Sequence, residues 1–155
     1  MAFEKQYFFI TGNAGKALEA KRFFSSVEIV NLDLEEIQSM EINEVIAHKL
    51  AQARKSLPQG NIFVEDTGLY FEALNGFPGP LIKWYLSCLK NEGIYQTLST
   101  LGNVKVEAKT VVGLGLESGE QLFFEGVSKG IIVSPKKTEI GFGWDDIIQP
   151  EGSLK

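Results

Sequence analysis

Cysteine and histidine each occur once, as Cys88 and His48, and both scarcities exclude chemistry. One cysteine forbids an intrachain disulfide and makes a reducing cytoplasm the expected compartment. With no histidine beside it in sequence, Cys88 is expected to pack on an apolar helix face. One histidine leaves no material for a Ser-His-Asp triad or a histidine-rich metal centre. No apolar run approaches the length of a membrane span. Residues Met1 to Gln6 lack the basic-then-apolar layout of a signal peptide. No membrane partner is expected. Basic clusters are also missing: the formal net charge is -5, and no Lys/Arg run exceeds Lys136-Lys137. Polymeric DNA or RNA, which calls for a basic face, is therefore not an expected partner. A small phosphorylated ligand is compatible with this balance, because a few placed lysines outweigh global charge locally. Internal repeats and low-complexity segments are absent as well.

The 155 residues suffice for one compact domain and are too few to argue for two. An apolar share of 44% against 23% charged excludes wholesale disorder. Strands and helices alternate in the pattern. Tyr7 to Thr11 is expected as a buried strand feeding a turn at Gly12-Asn13, followed by a helix over Ala14 to Phe24. Val27 to Leu32 reads as a second strand. Ile42, Val45, Ile46, Leu50, Ala53 and Leu57 make an amphipathic helix that stops at Pro58. Asn61 to Glu65 reads as a third strand, then comes the Gly/Pro-dense loop Asn75 to Pro80. Helical stretches are expected at Leu81 to Leu89 and Glu92 to Leu101. Val106 to Leu116 and Gln121 to Lys129, joined at Ser118-Gly119, read as a hairpin. Gly130 to Val133 is a further apolar run. The fold class is α/β with an antiparallel portion.

Four segments carry candidate chemistry. Thr11-Gly12-Asn13-Ala14-Gly15-Lys16 lies at a strand-to-helix junction, where free amides and the Lys16 ammonium suit a phosphate. Its spacing is not that of a P-loop, and the plain alternative is a polar turn capping a helix. Phe63-Val64-Glu65-Asp66-Thr67-Gly68 places two carboxylates at a strand end, where open α/β sheets bind ligands. Alternation turns Glu65 and Asp66 to opposite sides, so Asp66 at the strand boundary is the better metal or water ligand. Turn chemistry is the competing explanation. Asp33-Leu34-Glu35-Glu36 supplies a further carboxylate for a hard cation, or else a solvated loop. Gly141-Phe142-Gly143-Trp144-Asp145-Asp146 suits the wall of a flat heterocycle, or an aromatic plug in the core. Lys49 and Lys83 are assigned to solvent by default.

In this order the segments resemble the inosine triphosphate pyrophosphatase family, from Tyr7 to about Gly152. The most specific stretches are Thr11-Gly12-Asn13 with Lys16, Val64-Glu65-Asp66-Thr67, Gly76-Phe77-Pro78-Gly79-Pro80 with Ile82-Lys83-Trp84, and Phe142-Gly143-Trp144-Asp145. The resemblance implies an elongated mixed sheet with flanking helices, two lobes around a nucleotide cleft, and a homodimer. It implies magnesium-dependent cleavage of non-canonical purine nucleoside triphosphates, such as those of inosine and xanthosine, to monophosphate and pyrophosphate. Thr11, Gly12, Asn13 and Lys16 would hold the triphosphate, with Lys49, Thr67 and Lys83 adding contacts. Glu36, with Glu35 as its alternative, and Asp66 would bind the metal, Asp66 also acting as the acid/base residue. Phe142, Gly143, Trp144 and Asp145 would wall the purine. Family members usually continue past the Trp144-Asp145 motif into a tail with a base-contacting lysine and a Ser-His-Arg element. Residues 1–155 thus read as one domain, short at its C-terminal end. That departure leaves two alternatives: a nucleotide-binding protein with little catalysis, or a pyrophosphatase of another nucleotide class.

Overall fold

A computed structural model describes residues 6–136 and 143–153. The chain divides into two compact units, the first Met1–Asp66 with Val111–Phe124, the second Thr67–Thr110 with Glu125–Lys155. The hydrogen-bonded strand order is β2-β1-β3-β5-β6-β7, with β4 paired to β3; the elements are introduced below.

In the first unit, β1 (Tyr7–Ile10) lies parallel to β2 (Glu28–Val30) on one side and to β3 (Asn61–Phe71) on the other. Parallel pairs need a crossover. Helix α1 (Ala14–Phe23) lies between β1 and β2 in the chain, and α2 (Ile42–Ser56) between β2 and β3. The apolar stripe of α2 closes the core: Ile42, Ile46, Leu50 and Ala53 pack with Ile10, Ile62, Val64 and Val111. Full burial of a side chain such as Ile46 or Leu50 stabilises by roughly 1.5–3 kcal/mol each. A Cβ at Gly113 on β5 (Lys105–Gly115) would run into Ile46 and Leu50, so this glycine sets how closely α2 can approach. Arg54 fastens the end of α2, donating to the carbonyls of Gly60 (2.8 Å) and Gly115 (2.9 Å). Leu32 and Leu34 pack against this core from the segment after β2. Helix α1, by contrast, has no buried residue.

In the second unit, β3 continues through Asp66-Thr67-Gly68 to Phe71, where the sequence suggests a strand end and turn chemistry. The reason is long-range pairing: Leu69 and Tyr70 lie opposite Gly79 and Pro78 of the antiparallel β4 (Pro78–Gly79). A Cβ at Gly68 would lie 2.7 Å from the Gly79 carbonyl carbon, so backbone approach, not a turn, requires this glycine. The two expected helices form α3 (Ile82–Thr100), interrupted by non-helical backbone at Lys90 (φ 57°, ψ 175°). Cys88 is exposed on it, contrary to the expected packing role, because Ile82, Ile94 and Leu98 supply its buried residues. β6 (Gln121–Ile132) absorbs most of the separate apolar run expected after Lys129, and its last residues pair antiparallel with β7 (Ile148–Pro150). The second core gathers Leu69, Phe71, Ile82, Ile94, Leu98, Val106, Ile132 and Ile147.

Candidate active site

The end of β1 is made by local hydrogen bonds. The Thr11 amide donates to the Val30 carbonyl (3.1 Å), and the chain turns at Gly12. A Cβ at residue 12 would sit 3.3 Å from Asp33 Oδ1, so a small residue lets the two segments run side by side. The Asn13 amide donates to Thr11 Oγ1 (3.0 Å). Asn13 Oδ1 accepts from the amides of Gly15 (2.9 Å) and Lys16 (3.2 Å), forming the N-cap of α1. The sequence suggests free amides at this helix start. Two of them are already donated, because the cap carboxamide is the nearest acceptor.

Three elements and the segment after β2 bring five charged side chains into one alternating chain. Lys16 Nζ in the first turn of α1 lies 2.5 Å from Glu65 Oε1 and 3.8 Å from Asp66 Oδ1, both on β3. Lys49 Nζ on α2 lies 3.5 Å from the same Asp66 oxygen and 2.7 Å from Glu36 Oε1 in the segment after β2. It also donates to the Glu65 carbonyl (3.2 Å). Lys49 is thus not the solvated lysine of the default assignment. Its side chain is 7% exposed, because it projects from the helix face that closes the first core. Glu65 and Asp66 are not separated by strand alternation either. Alternation governs Cβ direction, not where a flexible side chain comes to rest, and both carboxylates reach Lys16.

The electrostatics follow from this crowding. For Asp66, burial opposes the charged form more strongly than Lys49 and Lys16 favour it, and Glu36 and Glu65 add repulsion. Its carboxyl is held above the usual carboxylate range. Burial likewise opposes the Lys16 ammonium, but Glu65, Asp66 and the more distant Glu36 more than offset it, raising Lys16 above the usual lysine range. Glu36 and Asp66 meet on a single ammonium, so the position between them already accommodates a cation. A hard divalent ion asks for one or two carboxylates together with phosphate oxygens and water. The donor set fits magnesium on those terms. Among the described residues no cluster of three or more His, Cys, Asp or Glu side chains forms an all-protein metal cage.

The other sequence-predicted residues lie in the second unit. The Thr67 hydroxyl shares a hydrogen bond with Thr110 Oγ1 (2.7 Å). Lys83 is exposed and stands over the Trp84 ring, 5.7 Å from its centroid. The Gly143 carbonyl accepts from Asn91 Nδ2 (3.1 Å). Trp144 packs partly buried on the second core, and Asp145 opens a short 3-10 turn on the surface. Phe142 lies outside the described residues. A cavity of about 370 Å³ in this unit, with Tyr70, Lys105, Glu107, Lys129 and Glu151 in its wall, contains none of the predicted site residues. Glu65 is the residue that sequence reasoning passed over. The adjacent carboxylate pair was the available signal, discounted on alternation.

The charge chain can be set beside known proteins. A model of the Ham1 family matches residues 7–155. The chain belongs to the Ham1 family. Among other members it is similar to a dITP/XTP pyrophosphatase of Methanopyrus kandleri, 42% identical over 148 residues, covering 93% of this chain and 78% of the relative. It is also similar to an inosine triphosphate pyrophosphatase of Saccharomyces cerevisiae, 37% identical over 153 residues, covering 92% and 77%. Of solved structures, the Ham1 protein of Staphylococcus aureus aligns with a TM-score of 0.67 at 26% identity, over 91% of this chain and 80% of that one. A dITP/XTP pyrophosphatase of Mycobacterium abscessus aligns at 0.72 over 97% and 86%, and at 23% identity it bears on the fold alone. The Ham1 match takes in every residue of the charge chain, from Lys16 to Asp66.

Proposed function

We propose that this chain hydrolyses non-canonical purine nucleoside triphosphates, such as those of inosine, deoxyinosine and xanthosine, to monophosphate and pyrophosphate. The observation that carries the reading is the placement of two lysines among Glu36, Glu65 and Asp66 within one unit of a Ham1-family chain. Binding a triphosphate requires positive charge held in place, and Lys16 and Lys49 supply it. Asp66 orients the attacking water and takes its proton, a role suited by a carboxyl more basic than usual. The bond between the α- and β-phosphates breaks, and the lysines neutralise charge on the departing pyrophosphate. Glu36 and Asp66 would hold magnesium, which when bound supplies further positive charge to the phosphate oxygens. Thr11, Gly12 and Asn13 shape the phosphate-facing turn. The family resemblance assigns Thr67 and Lys83 to the substrate as well, and Phe142, Gly143, Trp144 and Asp145 to the base. A 6-keto purine would be favoured by donors that adenine's amino group cannot satisfy.

The test is incubation of the purified protein with inosine triphosphate and magnesium, with product analysis. Monophosphate and pyrophosphate are expected. Orthophosphate as the first product, or turnover that survives Asp66→Asn, contradicts the reading. A homodimer working in the cytoplasm belongs to the same proposal. No helix among the described residues is long and apolar enough to cross a membrane, and sedimentation measures the oligomeric state.

A further inference from the structure

The peptide that carries Glu36 is held from α2. His48, the sole histidine of the chain, has Nδ1 3.1 Å from the Glu35 carbonyl oxygen. The next residue of α2, Lys49, has its ammonium 2.7 Å from Glu36 Oε1. We propose that His48 is a positioning residue that acts through Glu36. By gripping the Glu35–Glu36 peptide it holds the Glu36 carboxylate where Lys49, and then a divalent cation, can meet it. This rests on the reading of Glu36 as a metal ligand.

A carbonyl oxygen only accepts, so Nδ1 carries the proton of this bond. The other ring nitrogen lies 3.4 Å from Gln52 Nε2, about one helical turn further along α2. There the amide donates and His48 Nε2 accepts, so Gln52 favours the tautomer that serves Glu35. The gripped oxygen belongs to the planar unit that runs from Glu35 Cα to Glu36 Cα. Fixing that oxygen fixes the direction in which the backbone presents Glu36. Whatever else the Glu36 carboxylate touches, its departure point follows the peptide that His48 holds. Leu34, two residues earlier, packs against the first core and anchors the segment from the other side. Such anchoring matters because residues 31–41 belong to no helix or strand. A glutamate on unanchored backbone must be ordered by the cation that binds it, and that ordering lowers affinity. A second bond that orients a ligand removes part of this cost in advance.

The probe is manganese, which takes the same oxygen ligands as magnesium and is counted directly by electron paramagnetic resonance on the full chain. His48→Ala removes the donor and suits a helix interior. It is expected to weaken manganese binding by about threefold to tenfold, the worth of one hydrogen bond. His48→Asn places an amide donor near the position of Nδ1 and is expected to recover most of the loss. His48→Gln places its donor near the position of Nε2 and is expected to recover little. In a Glu36→Gln background, His48→Ala is expected to weaken binding no further. Equal binding by the wild type and folded His48→Ala overturns the proposal. So does equal recovery by His48→Asn and His48→Gln, or a further loss in the Glu36→Gln background. If circular dichroism shows that His48→Ala does not fold, the contrast between His48→Asn and His48→Gln decides. A wild-type chain that takes up no manganese, or a Glu36→Gln variant that takes up as much, refutes the metal reading of Glu36 and the proposal with it. Affinity lost in Glu36→Gln but kept in His48→Ala refutes the positioning role alone.

Discussion

Lys49 Nζ donates to Asp66 Oδ1 at 3.5 Å from a side chain with 7% exposure, so an ammonium on α2 and a carboxylate on β3 share one mostly dry position. Glu36 closes the same ammonium from the other side at 2.7 Å. Removing the Lys49 charge would leave Asp66 with the Lys16 ammonium at 3.8 Å, whereas neutralising Asp66 leaves Lys49 paired with Glu36.

Lys49→Met is expected to destabilise the fold by about 1–3 kcal/mol, below the cost of breaking a fully buried pair because Glu36 is 40% exposed. Urea denaturation with and without magnesium measures it. Magnesium should restore more stability to Lys49→Met than to the wild type, since it supplies the charge that Asp66 and Glu36 have lost. Equal magnesium effects on both proteins would count against the Glu36–Asp66 metal site.

Asp66→Asn is expected to abolish turnover and to raise the melting temperature at neutral pH. The sign follows from linkage. A carboxyl whose folded pKa lies above its unfolded value contributes stability at low pH and loses it as pH rises through the folded pKa. At neutral pH the ionised Asp66 therefore costs stability, and a neutral isostere removes that cost. The gain over wild type should fade below roughly pH 4, where Asp66 is protonated in both states. Differential scanning calorimetry across pH reads both limbs.

The pH dependence of kcat/KM should show an acid limb above the ordinary carboxylate range, because Asp66 must be ionised and burial opposes this. The Lys16 charge, favoured by Glu65 and Asp66, should persist beyond the usual lysine range. The alkaline side should accordingly stay flat until well past neutrality. An acid limb in the position of an unperturbed aspartate at low magnesium would remove Asp66 from the role of base.

Asn13→Ala removes the acceptor of the Gly15 and Lys16 amides and should cost about 1 kcal/mol. Because α1 buries no residue, the loss should appear as faster hydrogen exchange within α1 more than as global unfolding. Asn13→Asp keeps the cap and adds a negative charge beside Lys16. It should leave exchange protection intact while raising KM, a split that separates the cap from the phosphate-facing role.

Much of the framework was legible from local pattern. The stripe from Ile42 to Ala53 marks α2, Pro58 marks the region where it must stop, and Asn13 marks the start of α1. Lys16 and Asp66 were marked by their positions at a helix start and a strand end, and Glu36, with Glu35 as its alternative, by the family resemblance. Their mutual distances were not, and neither were the burial of Lys49 and the pairing of Glu65. Alternation along β3 argued against Glu65, and the default for a lysine argued against Lys49.

The continuation of β3 through Asp66-Thr67-Gly68 was equally illegible, since Asp-Thr-Gly has a turn composition and β4 pairs with the Leu69 and Tyr70 that follow it. Periodicity and caps are properties of neighbouring residues, so the sequence by itself marked the helices, the starts of the main strands and the segments that carry charge. Only the tertiary structure, by bringing α1, α2 and β3 together, decided that Lys16 meets Glu65 and that Lys49 loses its water. Ion pairing and desolvation depend on distances between segments far apart in the chain, and no local pattern encodes those distances.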